Sequence, residues 1–457
     1  MKLLKVHVPN YRCLKNVTLT FEPDLTPQVF PIGGENGGGK STLLQLIFVL
    51  LHCPGEFSPK KIFFNNTIKK MKRPYETWEL TKYDIATIQL LYKNEKIDLN
   101  YFLIPLTDNA DKSMSYPFGP FMEIINKLLM INDKIKKLNQ DIELRKEEFA
   151  EETYSYTEKI EDDKKFEQYI QELQKLRNYS KDMRNRLYEK EKECYNELHL
   201  LNTSSLDLSY EIEKTYFVIC CQSSHPDYNF TKEVLDFAGK NVFIAGQPTQ
   251  PYIFLNDNDI QELFNIEGKY FEILKNARKE LPNFYTYDQF ALLAILEGFK
   301  KARDKDFEKV IETGTYGTSY QSLLNELKSI IGGQKVIYPT KDLDSISVRY
   351  QTEDNKFIEL GPGDLSHGEL KRASLYAWIK YREINDAIVL IDEIENGLHP
   401  DWQYQIVKDL ASWGNNQYLL ATHSFYLCEA LTPRHVKEIE PRMKNPVPEK
   451  KDHVPAA

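Results

Sequence analysis

The sequence predicts an α/β protein, a mixed sheet with flanking helices, interrupted by a long helical insertion. Three observations predict it. Apolar and polar residues alternate in short runs near both ends of the chain, as in strands with one face buried. A glycine-rich turn at 34–39 and an acid-tipped turn at 392–393 join such runs to helical stretches. From Phe121 to His225 there is neither glycine nor proline, and apolar residues recur there at alternating spacings of four and three.

The elements follow in order. Residues 3–8 and 17–21 form two paired strands around an Asn10-Tyr11-Arg12 turn, and 42–52 form an apolar helix after the glycine-rich loop. Residues 85–92 and 96–104 are two further strands, ending before a proline-bounded break at 117–120. Ile124, Leu128, Ile131, Ile135, Leu138 and Ile142 then make a heptad seam, and Phe166, Ile170, Leu173, Met183 and Leu187 suggest a returning helix. The pair reads as an antiparallel coiled-coil hairpin, each arm of roughly 35 residues reaching roughly 50 Å; a compact helical bundle is the alternative. Strand-like runs resume at 215–221, 241–245 and 252–255. A mixed helical region fills 257–332, and strands at 335–338 and 345–351 lead into Gly361-Pro362-Gly363. The expected domains are an N-terminal lobe at 1–120, the insertion at 121–210, remaining strands and a helical lobe at 211–360, and a C-terminal lobe at 361–440. The tail at 441–457, rich in proline and charge, is expected to be disordered.

Composition narrows the function classes. The 457 residues carry 59 Lys and Arg against 68 Asp and Glu, a net charge of -9, so the chain as a whole is no electrostatic match for nucleic acid, and direct contact with nucleic acid is left open. The most apolar stretch, 43–53, is about half of a bilayer span, and the N-terminus lacks a secretory signal pattern, so a cytoplasmic protein without a membrane partner is expected. Cys13, Cys53, Cys194, Cys220, Cys221 and Cys428 include no C-x-x-C pair, which argues against a zinc site and a disulfide framework.

The chemistry concentrates in four motifs. Gly34-Glu35-Asn36-Gly37-Gly38-Gly39-Lys40-Ser41, followed by Thr42, fits G-x-x-x-x-G-K-[ST] between a strand and a helix. In that pattern glycines let backbone N–H groups converge on phosphate oxygens, lysine reaches the outer phosphates and Ser41 ligates Mg2+, so ATP and Mg2+ are the expected ligands. Ile388 to Ile391 form an apolar strand ending in Asp392 and Glu393. A carboxylate there suits water-mediated magnesium binding by Asp392 and general-base catalysis by Glu393. Leu365-Ser366-His367-Gly368-Glu369 precedes a helix expected to start near Leu370, where Ser366, Gly368 and Glu369 make a second phosphate cradle with hydroxyl and N–H groups free to donate. Finally, 418–422 is a strand ending in His423, placed to hydrogen-bond a terminal phosphate.

In order and spacing these motifs resemble those of the ABC ATPases. Leu365 to Glu369 is similar to the signature in its SMC-like form, Glu395 to Pro400 to the D-loop, His423 to the H-loop, and Tyr11-Arg12 to the Asn-Phe-Arg turn of the SMC and RecF ATPases, in which the arginine meets nucleotide. The resemblance implies an ABC ATPase head whose two ATP sites form only in a head-to-head dimer, closed by ATP and reopened by hydrolysis. His367 stands where glycine is usual, which implies slow turnover. Gln222 and Gln247 are alternative Q-loop residues. A transporter subunit would be shorter, and an OLD-type nuclease would append a TOPRIM domain where only about 34 residues follow His423. The motifs are most similar to those of bacterial anti-phage defence ATPases, namely AriA of the PARIS system and, as the close alternative, PtuA of Septu. That resemblance implies a homo-oligomer that carries a separately encoded effector nuclease, TOPRIM-type or HNH, and answers a phage-encoded trigger protein. An SMC/RecF-like ATPase that binds DNA ends is the alternative.

Overall fold

The computed structural model describes residues 1–52, 83–106, 203–212, 215–247, 283–287, 290–332, 334–352 and 356–439, with isolated positions between 127 and 189 and at 281 and 354. The chain divides into two compact units. The first comprises Met1–Arg73, Ile85–Asp98 and Lys232–Ala457, the second Pro74–Asp84 and Leu99–Thr231. In chain order the strands are β1 (Lys2–Tyr11), β2 (Leu14–Thr20), β3 (Val29–Gly33), β4 (Tyr83–Tyr92), β5 (Glu95–Leu106), β6 (Thr203–Ile212) and β7 (Thr215–Ser223). They continue with β8 (Val242–Gly246), β9 (Phe284–Thr286), β10 (Lys335–Pro339), β11 (Ile346–Gln351), β12 (Phe357–Leu360), β13 (Ile388–Asp392), β14 (Gln417–Ala421) and β15 (Lys437–Glu438). The helices are α1 (Lys40–His52), α2 (Tyr228–Asn241), α3 (Phe290–Thr313), α4 (Ser319–Ile330), α5 (His367–Tyr381), α6 (Pro400–Ser412) and α7 (Phe425–Glu429).

The first unit is built on a parallel sheet of order β15-β3-β14-β13-β8-β9. Every residue of β13 and β14 is buried, which is why both read as apolar runs rather than as alternations: a parallel strand covered on both faces has no solvent side. Helix α1 is apolar nearly all round because it lies against β8, β13 and β14. Helices α3, α4 and α5 pack on one another and on β10 and β11 through Phe299, Leu323, Leu327, Ile337, Val348 and Trp378. Strands β1, β2 and β4 are antiparallel, with Tyr11 opposite Leu14 at the β1–β2 turn. In the second unit the part of β5 from Leu99 onward, β7 and β6 form an antiparallel set, Leu99 opposite Ser223 and Thr203 opposite Gln222.

The expected strands at 3–8, 17–21, 85–92, 96–104, 215–221, 241–245, 335–338 and 345–351 and the helix at 42–52 all form. Three expectations fall largely outside the described residues: the coiled-coil seam, the strand at 252–255 and the tail at 441–457. Isolated positions of the insertion are helical, among them Lys127, Ile131, Lys134, Asp182 and Arg186, and Ile131 is buried. One correction concerns the end of the insertion. Strand β6 begins at Thr203, within the stretch 121–210 expected to be helical, and runs past its end to Ile212; Leu206, Leu208, Tyr210 and Ile212 recur with period two, a pattern that outweighs the lack of helix-breaking glycine and proline. Helix α5 starts three residues earlier than expected, at His367, because Ser366 caps it. Among the described residues no helix is long and apolar enough to cross a membrane.

Candidate nucleotide site

The glycine-rich loop joins the buried strand β3 to helix α1. Gly34, Gly37 and Gly39 adopt φ of +146°, +75° and +102°, a region that side-chain-bearing residues rarely enter. At Gly39 close approach is a second constraint, since a Cβ there would lie 2.6 Å from Leu14 Cδ2 and 2.8 Å from Cys13 Sγ. Gly38 N–H donates to the Glu35 carbonyl at 3.0 Å. Lys40 Nζ donates to the carbonyls of Gly34 at 2.9 Å and Glu35 at 3.1 Å, so the loop arches over its own ammonium. Burial lowers the Lys40 pKa, while Asp392, Glu395 and Glu393 oppose that shift. Asn36 is exposed near the tip of the loop. The turn after β1 holds Arg12 at φ +51°, its guanidinium 5.4 Å from the centre of the Tyr11 ring. The next two residues, Cys13 and Leu14, meet Gly39, and Cys13 Sγ lies 3.9 Å from Thr42 Oγ1. Arg12 is thereby set beside the glycine-rich loop, although it is far from most of the motifs in sequence.

The acids meet the loop because β14 lies between β3 and β13, so all three strands end at one edge. There Ser41 Oγ donates to Asp392 Oδ1 at 3.0 Å, across 351 residues of sequence. Asp392 is 1% exposed. Burial raises its pKa to about 6, with Glu393 and Glu395 adding to the rise and Ser41 and Lys40 opposing it. A hydroxyl and a buried carboxylate side by side are hard oxygen donors that fit Mg2+. The raised pKa also has a consequence for stability. Between the ordinary value near 4 and about 6 the folded chain binds more protons than the unfolded one, so this residue's contribution falls as pH rises through that window. Asp392→Asn is therefore expected to raise the melting temperature of the nucleotide-free protein at pH 7 and to remove that part of its pH dependence. Scanning calorimetry at pH 4.5 and pH 7 checks both, and an unchanged pH dependence would refute the assignment.

Glu393 follows with φ +50°, a left-handed conformation costing a non-glycine residue roughly 1–3 kcal/mol. Its N–H donates to the Ala421 carbonyl at 2.9 Å, and its Oε2 accepts from Asn396 Nδ2 at 2.7 Å. Glu395 Oε1 accepts from the backbone N–H of His423 at 2.6 Å, so the turn after β13 also fixes the end of β14. The His423 side chain is exposed.

Sequence reasoning overlooked two residues here. Lys371, on α5, is 2% exposed, and its Nζ donates to the carbonyls of Glu393 at 2.8 Å and Asn396 at 3.2 Å. Its ammonium lies 4.1 Å from the centre of the buried Tyr287 ring. Burial lowers the Lys371 pKa to about 7 against the pull of Glu395, Glu393 and Asp392. Nothing local marks either residue, since a lysine early in a helix ordinarily faces water. Of the two candidate glutamines, Gln247 follows β8, the strand paired with β13, and its Nε2 is buried without a partner. Gln222 is exposed within β7 of the second unit.

Ser366 caps α5 through a reciprocal pair: Glu369 N–H donates to Ser366 Oγ at 3.2 Å, and Ser366 N–H donates to Glu369 Oε2 at 2.7 Å. This corrects the expectation at one donor, because the Glu369 N–H is spent inside the cap. Burial pushes the Glu369 pKa up, but the Lys335 ammonium at 2.9 Å and the Ser366 N–H more than reverse it and leave it lowered. A Cβ on Gly368 would lie 2.5 Å from the Gly397 carbonyl, and one on Gly397 would lie 3.0 Å from His367 Nδ1. Glycine at both positions lets the 365–369 loop close onto the turn after Glu395.

Two solved structures are similar over nearly the whole chain. An Smc head domain with an extended coiled coil bound to the C-terminal domain of ScpA, from Pyrococcus furiosus, is 10% identical, with a TM-score of 0.34, covering 94% of this chain and 91% of that one. An Smc head domain with a coiled coil and joint, from Pyrococcus yayanosii, is 11% identical, with a TM-score of 0.33 and coverage of 94% and 93%. The AAA ATPase domain family, AAA_15, matches residues 1–428. With nearly all of its length matched, this nucleotide-binding chain belongs to the AAA ATPase domain family and is an ATPase.

Proposed function

We propose that the chain is the ATP-driven sensor and scaffold subunit of a bacterial anti-phage defence complex. ATP binding closes a head-to-head dimer, hydrolysis reopens it, and the cycle holds and then releases a separately encoded nuclease when a phage protein is sensed. The observation that carries the ATP-driven part is the meeting of Ser41 with Asp392 at 3.0 Å beside Lys40, with Glu393 next in the chain. On this reading the loop N–H groups and Lys40 bind the phosphates, Ser41 and Asp392 hold Mg2+, Glu393 takes the proton of the attacking water, and Ser366 and Gly368 face the nucleotide of a second copy. Bound Mg2+ would supply charge neutralisation at the phosphates. Arg12, Gln247 and His423 supply further polar contacts to the nucleotide. The defence role is supported by the likeness of the motifs 34–42, 365–369 and 388–400 to those of the PARIS and Septu ATPases.

The test is to express the chain alone and together with its neighbouring gene, challenge the cells with phage, and measure survival and RNA integrity. Protection is expected only from the pair, while the purified chain hydrolyses ATP and cuts no nucleic acid. Protection by the single gene, or nuclease activity of the pure chain, would overturn the scaffold reading. ATP-dependent binding of DNA ends would favour a repair ATPase.

A further inference from the structure

We propose that Lys371 is a positioning residue for hydrolysis, which holds Glu393 in its left-handed backbone conformation and ties that residue to the helix that Ser366 caps. This rests on the reading of Glu393 as the general base. The argument starts from the backbone. A non-glycine residue at φ +50° persists only where its surroundings over-determine it. Around Glu393 the N–H is spent on Ala421, the carbonyl accepts from Lys371 Nζ and from Asn396 N–H at 3.2 Å, and the carboxylate accepts from Asn396 Nδ2. Lys371 takes part twice, because its second bond is to the Asn396 carbonyl, so one ammonium spans both ends of the turn that carries the base.

Such an ammonium is costly to bury, and the cost identifies its role. A lysine needed only for packing would be served by methionine or leucine without desolvating a charge. Here the stem is buried and the ammonium rests on the face of the Tyr287 ring, which leaves the two carbonyls as its hydrogen-bond acceptors. Lys371 also stands five residues after Ser366, about one and a half helical turns. Displacement of the N-terminus of α5 is thereby passed to the turn of Glu393. Closure of a second copy on Ser366 and the alignment of this chain's own base are linked through one side chain.

The experiment compares wild type, Lys371→Met, Lys371→Arg and Glu393→Gln in steady-state ATP hydrolysis, with nucleotide affinity and melting temperature measured on the same preparations. Lys371→Met is expected to lower kcat roughly 10- to 100-fold, the order expected for a misplaced catalytic group, with KM within about threefold of wild type. Lys371→Arg, which keeps a cationic donor within reach of the carbonyls, is expected to recover part of that loss. Should Lys371→Met not fold, Lys371→Gln, which retains a neutral donor, is read in its place and should fall between wild type and a dead enzyme. A wild-type kcat in the Met or Gln variant overturns the proposal, as does a loss that Arg does not relieve and that tracks melting temperature. If Glu393→Gln itself hydrolyses ATP at the wild-type rate, the base assignment fails first. If Glu393→Gln is inactive while Lys371→Met is fully active, only the role of Lys371 fails.

Discussion

Glu393→Gln is expected to lower ATP hydrolysis by roughly 10²- to 10⁴-fold, the usual contribution of a general base, while nucleotide binding is retained. The amide keeps the volume of the carboxylate and an oxygen that can accept from Asn396 Nδ2, and the backbone bonds to Ala421 and Lys371 do not involve the side chain. What is lost is a group able to take a proton from water. On the proposed cycle, in which ATP closes a head-to-head dimer, a variant that binds ATP without consuming it should accumulate that dimer. Single-turnover hydrolysis and light scattering with and without ATP check the two halves of this expectation. Hydrolysis at the wild-type rate would remove Glu393 from the role of base.

Lys40→Ala is expected to weaken ATP affinity by roughly 10- to 100-fold, from the loss of charge-assisted hydrogen bonds worth about 1.5–3 kcal/mol. The Lys40 ammonium bonds the Gly34 and Glu35 carbonyls and faces the charges of Asp392, Glu393 and Glu395. The substitution therefore also removes the cation that partly offsets three acids at one sheet edge. Binding of a fluorescent ATP analogue, titrated against wild type with melting temperature as the folding control, gives the result. Tight binding by a folded Lys40→Ala protein would sink the reading of the loop as a phosphate site.

The strands and the loop were legible because their signals are local. Alternation in 3–8 and 17–21, the apolar run of 388–391 and the string of glycines before Lys40 each follow from the burial or backbone demands of the segment itself. Strand β9 is not legible in this way: at three residues it is too short to show a pattern, and it exists as a strand because it pairs with β8. In β6 the period-two pattern is present but follows directly on a long stretch without glycine or proline, which favours helix.

The sequence by itself determined the α/β class, the loop 34–41, the paired acids Asp392 and Glu393 and the likeness to ABC ATPases. All of these are carried by residue type at fixed spacing along one segment. Tertiary structure alone decided which distant groups meet. Ser41 reaches Asp392 because β14 lies between their strands. Cys13 and Leu14 press on Gly39, and Lys371 abandons water for the carbonyls of Glu393 and Asn396. A buried ammonium and a left-handed glutamate are each unfavourable in isolation, so no local pattern announces them. Lys371 Nζ meets the Glu393 carbonyl only once the helix that begins at His367 is packed beside the turn after β13.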